Sequence, residues 1–79
     1  MILLKYDRHG DIYDIQSDGD YNTLTKKLEF LSKELESKGI MRISSKINDN
    51  LTRMDEFAST KHGWECVLVI THSRAVVKV

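Results

Sequence analysis

The 79-residue sequence contains no proline, a single cysteine and only four glycines. Without proline or a glycine-rich stretch, nothing in the composition marks a linker, and we predict one compact domain over residues 1–79. A single cysteine excludes an internal disulfide framework and is typical of a reducing compartment. Cys66 stands in the apolar run 64–70, where we expect a buried and unreactive thiol.

A surplus of charge of one sign is missing as well, because twelve basic residues balance twelve acidic ones. Nucleic-acid-binding domains usually carry a basic surplus or stripe, so this balance argues against direct nucleic-acid binding. The longest strongly apolar run, 66–70, is far too short to cross a bilayer. No basic and apolar leader opens the chain. We therefore expect a cytoplasmic protein without membrane contact, in the host cytoplasm if it is phage-encoded.

The first sixteen residues predict a β-hairpin with its turn at His9-Gly10. Glycine favours such a turn because it has no Cβ to clash at positive φ. This turn places four pairs of residues opposite each other: two pairs of opposite charge, one aromatic pair and one aliphatic pair. They are Arg8 with Asp11, Lys5 with Asp14, Tyr6 with Tyr13, and Leu4 with Ile15. Each such pair contributes about 0.2–1 kcal/mol, so their agreement supports the register.

A helix is predicted next, with Asp20 or Asn22 as its N-cap and Lys38-Gly39 at its end. Its apolar residues recur every three or four positions and form one buried stripe. That stripe comprises Tyr21, Leu24, Leu28, Leu31 and Leu35. Glu29 and Lys33 are spaced to pair on the outer face.

Residues 40–50 allow two interpretations, a short strand or the start of a second helix. We predict an extended segment over 40–46 and a helix from about Asp49 to about Lys61, because the cluster 48–50 prefers caps and turns. The apolar face of that helix would comprise Leu51, Met54, Phe57 and Ala58.

Two β-prone segments, 64–71 and 74–79, predict a C-terminal hairpin with its turn near His72-Ser73. Both faces of this hairpin are partly apolar, which indicates the interior of a sheet. The predicted order is N-terminal hairpin, helix, short strand, helix and C-terminal hairpin. This order is typical of an α+β fold, and we expect a two-layer sandwich with a mainly antiparallel sheet.

The aspartates of the N-terminal region suggest a hard-cation site, but their spacing lacks the frame of an EF-hand loop. Ion pairing across the hairpin accounts for those nearest the turn. The sequence also has no glycine-rich phosphate loop and no serine or cysteine nucleophile motif. We therefore expect no metal, no cofactor and no catalytic residue.

Phe30 falls opposite the leucine stripe of the predicted helix, among Lys26, Lys27, Lys33 and Glu34. Such an aromatic either packs under a segment that the sequence does not place, or anchors a protein partner. Residues 1–20 carry five aspartates against two basic residues, whereas residues 41–79 carry six basic and four acidic residues. An acidic surface would attract a basic partner, such as a nucleic-acid-handling protein. The predicted protein-binding residues are Phe30, Asp7, Asp11, Asp14, Asp18, Asp20 and Glu34.

The leading hypothesis is a non-enzymatic interaction module, of the kind by which phages and mobile elements inhibit or regulate a host protein. A homodimer is a further expectation, because an unpaired strand edge must be covered or blunted. The alternative is a small RNA-directed ribonuclease or toxin that uses histidine acid–base chemistry. Its candidate residues are His9, His62 and His72, with Arg53, Lys61 or Arg74.

Overall fold

The computed structural model describes residues 1–7, 12–48 and 52–72, with only the backbone of residues 12–17. Its elements, in chain order, are β1 (Ile2–Asp7), β2 (Ile12–Asp18), α1 (Tyr21–Ser37), β3 (Ile40–Ile47), β4 (Arg53–Ser59) and β5 (Gly63–Thr71). All strand pairs are antiparallel. The five-stranded sheet has the order β2-β1-β5-β4-β3. The α+β class is thus confirmed.

Strands β1 and β2 form the predicted N-terminal hairpin. Two of its predicted pairs are confirmed, since Lys5 lies opposite Asp14 and Leu4 lies opposite Ile15. The third is wrong, because Tyr6 lies opposite Ile12 after a shift of register next to Lys5. A β-bulge adds an unpaired residue and displaces the pairs beyond it. The turn at His9-Gly10 and the pair of Arg8 with Asp11 lie outside the described residues.

Helix α1 begins and ends where the sequence predicts. The carboxylate of Asp20 accepts a hydrogen bond from the Thr23 backbone N–H at 2.7 Å, which makes Asp20 the N-cap. Lys38 is the C-cap, and Gly39 follows at a φ of 80° that L-residues with a side chain rarely adopt. Leu24, Leu28 and Leu35 are buried against the sheet. In the described ranges, no helix has the length and apolar character needed to span a membrane.

The Asp20 cap predicts a dependence of stability on pH. The hydrogen bond from the Thr23 backbone N–H holds the pKa of Asp20 below its ordinary value of 3.8. The folded state therefore favours the ionised carboxylate, and the cap's full contribution is present above the unfolded pKa. It is lost as pH falls through the folded pKa. We expect Asp20→Ala to lower the melting temperature at neutral pH, and the difference from the wild type to shrink on acidification below about pH 4.

Thermal melts followed by circular dichroism at several pH values would measure this effect. Asp20→Asn is the matched control, because it keeps an oxygen acceptor but does not titrate. It should retain most of the neutral-pH stability. If the melting temperatures of the wild type and Asp20→Ala differ by the same amount at neutral and at acidic pH, ionisation of Asp20 does not contribute to the cap.

The segment predicted as a second helix is strand β4, so that prediction is wrong. The predicted extended segment over residues 40–46 is confirmed as part of β3, which pairs with β4. In β4 the buried positions alternate and fall on Arg53, Asp55 and Phe57. Two of these three residues are charged, so a search for apolar periodicity misses the strand period. β4 also pairs with β5, which satisfies its backbone on both sides.

Strand β5 is the centre of the sheet, between β1 and β4. Every residue from Cys66 to Thr71 is buried, which confirms that this strand belongs to the interior of the sheet. Alternate residues of β5 contribute to two apolar clusters. The cluster beneath α1 contains Cys66, Leu68 and Ile70, and the cluster on the other face contains Val67 and Val69. The predicted strand 74–79 lies outside the described residues.

Candidate interaction surface

Phe30 lies on the solvent-facing side of α1 and is 60% exposed. Its neighbours one turn away on the helix are Lys26, Lys27, Lys33 and Glu34, all of them exposed. Three cations against one anion make the surroundings of Phe30 basic. The structure thus places an aromatic side chain in solvent, within a charged rim. The Phe30 patch denotes these five residues below.

The aspartates predicted to share this surface are spread over the sheet. Asp18 lies opposite Ile2, at one end of the first hairpin, and Asp7 ends β1 at the other. Five residue steps of about 3.3 Å separate Ile2 from Asp7, or roughly 17 Å. Asp20 is the helix cap beside Asp18, Asp14 occupies the middle of β2, and Asp11 lies outside the described residues. The structure brings Asp18 and Asp20 together and separates both from Asp7.

Strand β3 carries the other large exposed apolar side chains of the described residues. Met41 is 49% exposed, and Ile43 and Ile47 are each 59% exposed. β3 is also an edge strand, paired within the described residues with β4 alone. A shift of register between Arg42 and Ser44 interrupts its pairing with β4. Edge strands with free backbone groups and apolar side chains are prone to pair with another chain.

A group of charges around one buried carboxylate joins α1 to the same edge of the sheet. The Asp55 carboxylate is fully buried and accepts hydrogen bonds from Arg53 Nε at 3.0 Å and Arg53 Nη2 at 2.9 Å. Arg42 Nε lies 2.9 Å from Asp55 Oδ2, and the Ser45 hydroxyl donates to Asp55 Oδ1 at 2.7 Å. Glu29 Oε1 accepts from Arg42 at 2.9 Å and from Arg53 at 2.8 Å. These five residues form the ionic cluster.

The ionic cluster is a closed network rather than a binding pocket. The charges of the two arginines and the two carboxylates cancel. The oxygens of Asp55 are already bound by Arg53, Arg42 and Ser45. The hydrogen bonds to Asp55 raise the pKa of Arg53 above its ordinary value, against the opposing effect of burial. The Arg42 guanidinium also lies 5.8 Å from the centre of the buried Phe57 ring. The arrangement holds α1, β3 and β4 in place and leaves its central carboxylate inaccessible to a ligand.

The ionic cluster is not predicted from the sequence because its members are far apart along the chain. The Glu29 carboxylate was predicted to pair with Lys33, yet it contacts two arginines 13 and 24 residues away. One local signal existed. Arg53, Asp55 and Phe57 alternate, which would place all three on one face of a strand.

The described histidines do not converge. His62 lies in the β4–β5 turn and His72 follows the end of β5, so the length of that nine-residue strand, roughly 30 Å, separates them. His62 and Lys61 line a surface cleft of about 320 Å³ together with Lys38. Of the other residues named for the ribonuclease hypothesis, Arg53 is buried in the ionic cluster, and His9 and Arg74 lie outside the described residues.

Cys66 lies on the buried face of β5 beneath α1. Burial raises the pKa of its thiol, while the positive charge of Lys5 acts in the opposite direction. The thiol is therefore neither accessible nor ionised at neutral pH. Over residues 1–7, 12–48 and 52–72, no three His, Cys, Asp or Glu side chains are grouped so as to hold a metal ion.

Comparisons with known proteins give no further assignment: no family model, no curated protein and no solved structure matches this chain.

Proposed function

We propose that the protein is a non-enzymatic interaction module that binds another protein through the Phe30 patch. The exposure of Phe30 on a firmly packed helix carries this proposal. Leu24, Leu28 and Leu35 anchor α1 to the sheet on its other side, in what we propose is a two-layer sandwich. A ring held on a rigid element loses little conformational entropy on binding, and aromatic side chains dominate binding hot spots.

The rim of the patch indicates the chemistry of the partner. Lys26, Lys27 and Lys33 surround the ring against the single carboxylate of Glu34. Opposite charges across an interface speed encounter and select the partner. The proposed partner surface is an apolar pocket bordered by carboxylates, opposite in charge to the basic partner expected from the aspartates alone. Inhibition or regulation of a host protein by a phage or mobile-element product is the biological role that we propose for this binding.

Replacement of Phe30 by alanine tests the proposal. We expect Phe30→Ala to weaken binding of a partner captured from host lysate by more than about thirtyfold, the effect of losing a hot spot. We expect its free energy of unfolding to stay within about 0.5 kcal/mol of the wild type, because the side chain is largely exposed. Titration calorimetry with the purified partner and urea unfolding measure the two quantities.

Ile47→Ala is the matched control, because Ile47 is an apolar residue of nearly equal exposure (59% against 60%) on a different element. It should bind the partner as the wild type does. If Phe30→Ala binds every captured partner with wild-type affinity, the Phe30 patch is not the contact surface.

A second candidate, RNA-directed acid–base chemistry, is supported by one observation, the cleft that contains His62, Lys61 and Lys38. Incubation of the purified protein with RNA tests it, with His62→Ala as the variant and His72→Ala as a control outside the cleft. No cleavage, or cleavage that both variants retain, would remove this candidate.

A further inference from the structure

We infer that the protein self-associates head to tail, the β3 edge of one copy pairing with the β2 edge of the next. This interaction is separate from the Phe30 patch, which lies on the outer face of α1. It rests on the charges that the sequence gives to two strands and on the positions that the topology gives to those strands. Among the strands that the structure describes, the order places β2 and β3 at the two edges of the sheet.

The two edges carry opposite charge. β2 contains Asp14 and Asp18 and no basic residue, whereas β3 contains Arg42 and Lys46 and no acidic residue. The uneven charge distribution of the sequence thus becomes a difference between the edges of one sheet. Asp18 and Lys46 are both exposed, and within the described residues no ion pair includes either of them.

The charged residues also match in spacing and direction. Both pairs are four residues apart in their strands. Because neighbouring strands alternate in direction across five strands, β2 and β3 run the same way. A second copy in the same orientation therefore presents its β2 parallel to β3. One register then places Asp18 by Lys46, the pair whose charges are free, and opposite charges across strands are favourable.

Charge also selects this pairing over the symmetric alternative. Pairing of two β3 edges would bring together two strands that carry basic residues and no acidic one, whereas the head-to-tail arrangement gives Lys46 a carboxylate partner. Arg42 is already neutralised by Glu29 and Asp55, so Lys46 is the dominant free charge of this edge. The exposed Met41, Ile43 and Ile47 of β3 supply apolar surface that association would cover.

The bulge between Arg42 and Ser44 limits the strength of the contact. Bulges and lysines blunt the edges of natural sheets, and the regular part of β3 is short. We therefore expect reversible association that increases with protein concentration and weakens with salt. A head-to-tail contact generates a ring or an open chain rather than a symmetric dimer.

A charge-swap experiment tests this arrangement by sedimentation velocity over a wide range of protein concentration. We expect the average mass of the wild type to rise with concentration, and Lys46→Glu and Asp18→Lys to remain monomeric when measured separately. An equimolar mixture of the two variants should regain the wild-type mass, because each supplies the edge that the other lacks. Lys33→Glu makes the same charge change on α1, away from both edges, and should behave as the wild type.

A wild type that stays monomeric at every concentration would overturn the inference. An equimolar mixture of Lys46→Glu and Asp18→Lys whose average mass does not exceed that of either variant alone would also overturn it. Self-association that Lys46→Glu strengthens and Asp18→Lys leaves unchanged would overturn it in favour of symmetric β3 pairing. Circular dichroism confirms that each variant is folded, since both residues are exposed and their replacement should leave the spectrum unchanged.

Discussion

Replacement of Asp55 by alanine should lower the free energy of unfolding by about 3–5 kcal/mol, the cost of removing one member of a buried ion pair. Asp55 is fully buried and accepts from Arg53, Arg42 and Ser45. Its loss leaves the largely buried Arg53 with one carboxylate, that of Glu29. A 79-residue domain is typically stable by roughly 4–12 kcal/mol, so this change removes a large fraction of the total.

Urea unfolding measures the change, with Glu56→Ala as the matched control. Glu56 is the next residue of β4, faces the other side of the sheet and lies outside the ionic cluster. Its replacement should change the free energy of unfolding by no more than about 0.5 kcal/mol. Equal destabilisation by the two variants would show that burial of this strand, and not the charge network, determines the effect.

A double replacement separates the cost of an orphaned charge from the value of the pair. Breaking a buried ion pair is costly mainly because the remaining charge is left without a partner in the interior. We therefore expect the combined variant Arg53→Met with Asp55→Leu to be more stable than Asp55→Ala. A combined variant less stable than Asp55→Ala would mean that the ionic cluster adds net stability to the fold.

The same residues explain how far the sequence predicts the fold. The first hairpin and α1 are predictable because their patterns are local: an alternating pair of strands, and a leucine stripe with caps at both ends. Strand β4 is not, because Arg53 and Asp55 occupy two of its three buried positions. Their burial depends on Glu29 and Arg42, which belong to other elements. Their burial becomes physically reasonable only once those elements are brought together.

The candidate surface shows a similar division. Helical geometry alone predicts that Phe30 faces away from the leucine stripe, and its exposure confirms that placement. The grouping of the aspartates depends instead on strand pairing. Asp18 lies opposite Ile2, the first residue of β1, and Asp7 is the last residue of β1, so the length of that strand separates the two aspartates. The opposite charges of β2 and β3 become meaningful only through the strand order, which no local pattern in the chain specifies.

The second large effect is expected at Phe57, whose replacement by alanine should cost about 3–5 kcal/mol, as for large-to-small changes in other cores. The ring is fully buried in the cluster beneath α1, with Leu24, Leu28 and Leu68. Removing the ring deletes apolar contacts and leaves a cavity. Because β4 is paired with β3 and β5, its backbone cannot move far enough to close that cavity fully. It also removes the surface beneath the Arg42 guanidinium.

Urea unfolding of Phe57→Ala and Phe30→Ala compares the same chemical change at a buried and at an exposed site. Phe57→Leu, which keeps much of the volume, should lose clearly less stability than Phe57→Ala. A loss below about 1 kcal/mol for Phe57→Ala would contradict the packing of β4 against α1. The variants Phe30→Ala and Phe57→Ala also separate folding from binding. Phe30→Ala should strongly weaken partner capture while the protein stays stable. Phe57→Ala should reduce capture only to the extent that it unfolds the chain, because Phe57 has no exposed surface to offer a partner.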